Sequence, residues 1–211
     1  MTPVDTTDAL LERFAAPEWR EVEEDWVQGK ISSCECMARQ IPMIRAGKRE
    51  LDAFIDTIPL APGFKEFVAF CLDRGVALSI VSDGVDYVIR RILAQHGLSG
   101  LRVMANHLVI ADEGYALTFP SAQKDCAFGM CKCAVSDVRN VPTVLIGDGR
   151  SDTCIARHAA AVYARRGFPL EAYCVANKIG HTPFIDFYSI LEGIQQLIHK
   201  LAGDGHGASS V

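Results

Sequence analysis

Two uncharged apolar runs, each closed by an acidic glycine turn, constrain this chain most. Val76-Ala77-Leu78-Ser79-Ile80-Val81 runs into Ser82-Asp83-Gly84, and Thr143-Val144-Leu145-Ile146 runs into Gly147-Asp148-Gly149. A near-continuous apolar run of this length fits a strand covered on both faces, as in a parallel sheet. Helical stripes flank the first run. Phe64, Phe67, Val68 and Cys71 precede it, and Val85, Val88, Ile89, Ile92 and Leu93 come after it. Ala161–Ala164 reads as a third short strand, and Phe187–Leu201 as a last amphipathic helix. Helix, strand and helix in alternation predict an α/β fold with a parallel sheet.

The rest of the chain departs from that alternation in two places. Residues 1–58 carry apolar residues at helical spacing and no convincing strand: Leu10, Leu11 and Phe14, then Trp19, Val22 and Trp26, then a stretch from Ser33 to Gln40, then Leu51, Phe54, Ile55 and Ile58. This predicts a small unit of three or four helices, with Phe14, Trp19 and Trp26 in its core. Val103–Ala105 is a short strand candidate. His107–Ile110 and Tyr115–Phe119 flank Asp112-Glu113-Gly114, a hairpin turn. A short helix is expected from Cys133 to Arg139 and another from Asp152 to His158, and the glycine-rich tail at 203–211 is expected to be flexible.

Composition removes several classes. Hydrophobic residues are 49% and charged residues 22% of the 211, which excludes disorder for most of the chain. No stretch of 18 apolar residues or basic leader with an apolar core is present, so neither a membrane span nor a secretory signal is expected. The net charge of -5 argues against a large nucleic-acid surface. The eight cysteines read as reduced thiols of a cytoplasmic protein. Cys126, Cys131 and Cys133 cluster, but their C-x4-C-x-C spacing is not that of a paired zinc site. An adventitious cluster is the plainer reading and a metal or redox site the alternative.

In an open parallel sheet, ligands collect beyond the carboxyl ends of the strands. Asp148 and Asp152 stand four residues apart across the second glycine turn, and hard oxygen donors of this kind suit Mg²⁺. An ordinary strand-to-helix turn, with Asp152 in the first turn of the next helix, is the alternative. Lys132, just ahead of a short helix, can hold a phosphate or a developing anion; a solvated surface lysine is its alternative.

These residues together resemble the haloacid dehalogenase-like phosphatase superfamily. Ser82-Asp83-Gly84 resembles its second motif, Lys132 its third-motif lysine, and Val144–Asp152 its fourth motif, hhhhGDGxxD. Phe14–Trp19, Gly63–Val68, Asn106-His107 and the region of Asp186-Phe187-Tyr188 are similar to the phosphoserine-phosphatase-like branch, and within it to the phosphatases of methionine salvage. The resemblance spans about residues 2–200. It implies a Rossmann-like parallel sheet with a helical cap at 6–60, a core at 61–202 and a remnant of the first-motif region at 1–5. The family's first motif, DxDGT or DxDGS, is absent from the 211 residues, and Thr2–Asp5 resembles the residues immediately after that motif. The expectation is a start assigned too far downstream; a true truncation rescued by a partner is the alternative. The first, central strand would be missing with the motif, leaving its neighbours without a ladder partner on one edge.

The resemblance also implies chemistry. The first-motif aspartates would form an aspartyl phosphate and move the proton. Ser82 and Lys132 would hold the phosphoryl group, with Asp83, Gly84 and Gly149 shaping its cradle through backbone N–H groups. Asp148 would bind Mg²⁺ and Asp152 would complete the carboxylate cluster. Asp5, Asn106, His107 and Cys126 are substrate-side candidates, though Asp5 also reads as a helix cap; for Arg45, Lys48 and Arg49 a solvated charge run is the plainer reading. The implied function is Mg²⁺-dependent hydrolysis of a small phosphorylated metabolite, methionine-salvage-like or phosphoserine-like, in a protein that could form a homodimer. A non-catalytic binding protein on the same fold is the alternative.

Overall fold

The computed structural model describes residues 1–112, 114–191, 193 and 194. It divides into two compact units, one of Met1–Leu60 with Leu78–Val135 and one of Ala61–Ala77 with Ser136–Val211.

The first unit opens with four helices: α1 (Thr6–Phe14), α2 (Trp19–Val27), α3 (Ser33–Gln40) and α4 (Lys48–Ile55). Their ends are set by local sequence. Asp5 caps α1, its Oδ1 accepting from the N–H groups of Thr7 at 2.8 Å and Asp8 at 3.2 Å. Ser32 caps α3 through the Glu35 N–H. Leu10, Leu11, Ile41, Leu51 and Ile55 are buried, as the helical spacing predicts. They share one cluster with Val85, Val88, Ile92 and Leu108 from the rest of the unit. Truncating a fully buried leucine such as Leu11 typically costs about 2–5 kcal/mol.

That remainder comprises β1 (Ser79–Val85), α6 (Asp86–Gln95), β2 (Arg102–Ala111), β3 (Gly114–Thr118) and α7 (Lys132–Val135), with α5 (Phe64–Asp73) falling in the second unit. The sheet order is β1-β2-β3. β1 runs parallel to β2, with Ile80 opposite Val103, and β2 and β3 form the expected hairpin, with Ala111 opposite Gly114.

The second unit holds α5, β4 (Val144–Gly147), a 3₁₀ turn (Arg150–Asp152), α8 (Thr153–Ala156), β5 (Ala161–Arg165), α9 (Pro169–Ala176) and β6 (Thr182–Phe184). Its three strands are all parallel, in the order β4-β5-β6. Phe187 anchors α5, its ring 5.0 Å from Phe64 edge-on and 5.3 Å from Phe67. Gly63 starts α5 at φ +77°, and a Cβ there would come within 2.6 Å of the Tyr188 nitrogen.

The α/β fold is as expected, and several details change. Among the described residues the strands form two three-stranded sheets, the first mixed. β1 begins three residues later than the apolar run and continues through Ser82-Asp83-Gly84 to Val85. It is half-buried rather than buried, because among the described residues it ladders only with β2, just as β4 ladders only with β5. The two short segments read at 103–105 and 107–110 form one strand, which leaves β1 and takes up β3 along its length. The helix expected from Cys133 to Arg139 is the four-residue α7. The helix expected from Asp152 to His158 is broken into a 3₁₀ turn and the single-turn α8. α9 and β6 were not predicted. Most of the helix expected at Phe187–Leu201 and the whole tail at 203–211 lie outside the described residues; 187–191 are helical.

Candidate active site

The candidate residues fall into two groups, one in each unit. In the first unit Ser82, Asp83 and Gly84 lie in the second half of β1, and Asn106 on β2 is bonded to Asp83. The Ser82 Oγ accepts the Gly84 N–H at 3.0 Å, so the serine is oriented by the backbone two residues on, within β1. A Cβ at Gly84 would lie 3.2 Å from that oxygen, a close contact with a side-chain atom.

Asp83 takes hydrogen bonds from three separate segments. Its carboxylate accepts from the Ser33 hydroxyl at 2.5 Å, the Met130 N–H at 2.8 Å and the Asn106 amide at 3.2 Å. The same Asn106 amide donates to the Asp83 carbonyl. Asn106 is completely buried, and its Oδ1 is the one buried side-chain polar atom without a partner among the described residues. Gly129 packs against it: a Cβ there would sit 2.8 Å from Oδ1 and 2.5 Å from the Phe119 ring. Asn106, expected on the substrate side, therefore spends its amide inside the protein.

Lys132 opens α7 and is only 7% exposed, which removes the solvated-surface alternative. An ammonium is buried only where something compensates its charge. His107 is exposed and engages Asp86 Oδ2 through Nδ1 at 2.9 Å, while Asp86 Oδ1 accepts the Leu108 N–H. Sequence reasoning missed Asp86; its place at the start of the helix after β1 was the available signal. Asp5 acts as the helix cap.

Cys34 and Cys36 are poorly suited to reactivity. Burial, then the Asp83 charge, pushes Cys34 up; burial and Glu23 push Cys36 up to about 12. None of the eight cysteines is in a disulfide, and Cys131 is buried. Among the described residues no group of three or more His, Cys, Asp or Glu is placed to hold a metal ion, the three clustered cysteines included.

In the second unit the group is built on the turn after β4. Asp152 is 4% exposed, and its Oδ2 accepts the N–H groups of Asp148 at 3.1 Å and Gly149 at 3.0 Å. The carboxylate nestles against Gly147, where a Cβ would come within 2.5 Å of Oδ2. Asp152 thus clamps the turn, and the Asp148 carboxylate stays half-exposed. Arg165, at the end of β5, approaches it at 3.7 Å, and the Asp148 carbonyl accepts the Leu170 N–H. Arg165 was passed over in the sequence, although it too stands at a strand's carboxyl end. The donor chemistry fits Mg²⁺: one accessible carboxylate on a turn held by a second, for a cation that keeps several of its waters.

A model of the haloacid dehalogenase-like hydrolase family matches residues 1–157. The chain belongs to that family. Within this hydrolase family it is 32% identical over 200 residues to a 2-hydroxy-3-keto-5-methylthiopentenyl-1-phosphate phosphatase of Exiguobacterium sp., covering 90% of each chain. It is 30% identical over 205 residues to the protein of the same description from Geobacillus kaustophilus, covering 93% of this chain and 92% of the relative. The fold is that of phosphoserine phosphatase in its apo form, with a TM-score of 0.65 at 18% identity over 92% of this chain and 93% of the other. Among the described residues no helix of this hydrolase is long and apolar enough to cross a membrane.

Proposed function

We propose that this protein is built to hydrolyse a small phosphomonoester, with a carbon skeleton like that named for its relatives, a 2-hydroxy-3-keto-5-methylthiopentenyl phosphate. The observation that carries the reading is the Asp152 clamp. Two N–H groups tie the Gly147–Gly149 turn to a buried carboxylate and leave the neighbouring Asp148 carboxylate accessible at the end of a parallel strand. That is an arrangement for a hard cation beside a phosphate.

Each remaining residue has a part that its placement allows. Ser82 presents an oriented hydroxyl to a phosphoryl oxygen. The Gly84 N–H, which donates to Ser82, lies in the same segment of β1 and can reach the phosphate with it. Lys132, buried, brings a positive charge that solvent does not screen. Asp148 would hold Mg²⁺, with Asp152 positioning it, and the metal would offset phosphate charge. The aspartates that attack phosphorus and move the proton in this reading belong to a DxDG[ST] sequence, and the 211 residues contain none. The chain alone is therefore expected to be nearly inactive.

Para-nitrophenyl phosphate hydrolysis in Mg²⁺ tests this. A version carrying an apolar strand and DxDGT ahead of residue 1 should turn over at least ~1000-fold faster than the 211 residues alone, since a nucleophile and its acid–base partner are supplied together. Equal rates would sink the reading. A panel with phosphoserine and the methylthiopentenyl phosphate then separates the substrate classes.

A further inference from the structure

We infer that Asp83 is a positioning residue, a latch whose carboxylate fixes α3 and the loop ahead of Lys132 against the strand end that carries Ser82. The purpose given to the latch rests on the phosphatase reading; the latch itself rests on hydrogen bonds. Its three donors come from segments 50, 23 and 47 residues away in sequence: the Ser33 hydroxyl at the first residue of α3, the Asn106 amide on β2 and the Met130 N–H in the loop. All three donor residues are buried, at 5%, 0% and 1% exposure. The side chain therefore joins three segments that nothing in local sequence brings together.

A carboxylate suits this place because it only accepts, with about four lone-pair positions. An amide at 83 would turn an N–H₂ toward at least one of three donors. A side chain with no acceptor would leave the Met130 N–H and the Asn106 amide buried with one partner fewer. The orphaned Asn106 Oδ1 adds to the argument. Its oxygen is buried against Gly129 with no donor, so the amide's orientation is held by what its nitrogen does, which is to donate to Asp83. Met37 of α3 lies against the same nitrogen, its sulfur at 3.8 Å. Loss of the Asp83 carboxylate should release α3 and the 129–130 segment together. Lys132 is two residues beyond that segment, so the latch sets how the lysine approaches the Ser82 turn.

Amide hydrogen exchange on the intact 211-residue chain tests the latch, with inorganic phosphate as a separate probe of its purpose. In Asp83→Ala, exchange of the Met130 amide and of residues 33–37 should quicken at least ~10-fold, while the β2–β3 hairpin at 107–118 keeps its protection. The Met130 amide proton should also lose the downfield shift expected of a carboxylate-bound N–H. Unchanged exchange at both segments, or an equal rise across the hairpin, overturns the latch. Should Asp83→Ala fail to fold, Ser33→Ala serves: it should quicken 33–37 and spare Met130, and wild-type exchange in 33–37 overturns the proposal. Phosphate should perturb the Ser82 and Gly84 amides of the unaltered chain and do so several-fold more weakly in Asp83→Ala. Equal perturbation in both refutes the positioning role. No perturbation in either, with the exchange difference intact, supports the latch and overturns the phosphate reading instead.

Discussion

At the scale of single residues, carboxylates divide by what surrounds them. Asp148 is accessible, Asp152 is used up in holding a turn, and Asp83 is used up in holding three segments. Asp8 on α1 is a fourth case. Burial of its carboxyl, then the charges of Asp5, Glu23 and Glu12, push it up from 3.8 to about 7. A carboxyl raised in the folded state binds its proton more tightly there than in the unfolded chain. It is neutral in both states below about pH 3.8, so it costs nothing there. The cost grows as pH rises toward about 7 and then levels off. Asp8→Asn should therefore raise the thermal midpoint at pH 8 and leave it unchanged near pH 3.5. Solvent reaches this side chain, so screening should hold the gain to about 1 kcal/mol, or about 2–4 °C in a chain of this length. A gain at low pH and none at pH 8 would contradict the assignment. Gly147 gives a steric test. An added Cβ would come 2.5 Å from Asp152 Oδ2 and 2.6 Å from its Cγ, so the clamp must move. Gly147→Ala should lose about 1–3 kcal/mol in urea unfolding, and a loss below a few tenths would show that the turn accommodates the methyl.

At the scale of elements, local chemistry was readable and partners were not. Asp5 was open to two readings in the sequence, a substrate-side acid or a cap, and the structure shows its Oδ1 capping α1. Asp5→Ala should cost about 1 kcal/mol, visible as a lower denaturation midpoint with the helical circular dichroism of the native baseline little changed. The four N-terminal helices, the hairpin and the strands at β4 and β5 were legible because periodicity and turn residues act within a few positions. β1 starts three residues later than its apolar run and is half-buried, although the absent first strand already implied a flank without a ladder partner. An apolar run tells that a strand can be covered, but not whether a neighbour is there to cover it. β6 and α9 escaped because a strand of three residues and a helix starting at Pro169 carry too little pattern.

At the scale of the whole molecule, two sheets each have a flank with one ladder partner fewer than their apolar sequences suit. Among the described residues β1 pairs only with β2 and β4 only with β5. Supplying an apolar strand ahead of residue 1 should raise the unfolding midpoint in calorimetry, through ladder hydrogen bonds and covered apolar surface. An unchanged midpoint would show that such a strand finds no place. The family was legible in the sequence because its motifs are contiguous: Ser82-Asp83-Gly84 and Gly147–Asp152 carry their residue types at fixed spacing after an apolar run. The division of labour among those residues was not legible. That Asp83 binds Ser33, Asn106 and Met130, that Asn106 is wholly buried and that Lys132 is not a surface lysine depend on contacts between segments tens of residues apart. Sequence alone determined which apolar runs become strands, and that β4 closes in a polar glycine turn, since backbone preference and apolar spacing act locally. Only the tertiary structure decided which polar side chains those turns leave facing solvent and which they bury, since burial and hydrogen-bond partners are properties of the packed chain.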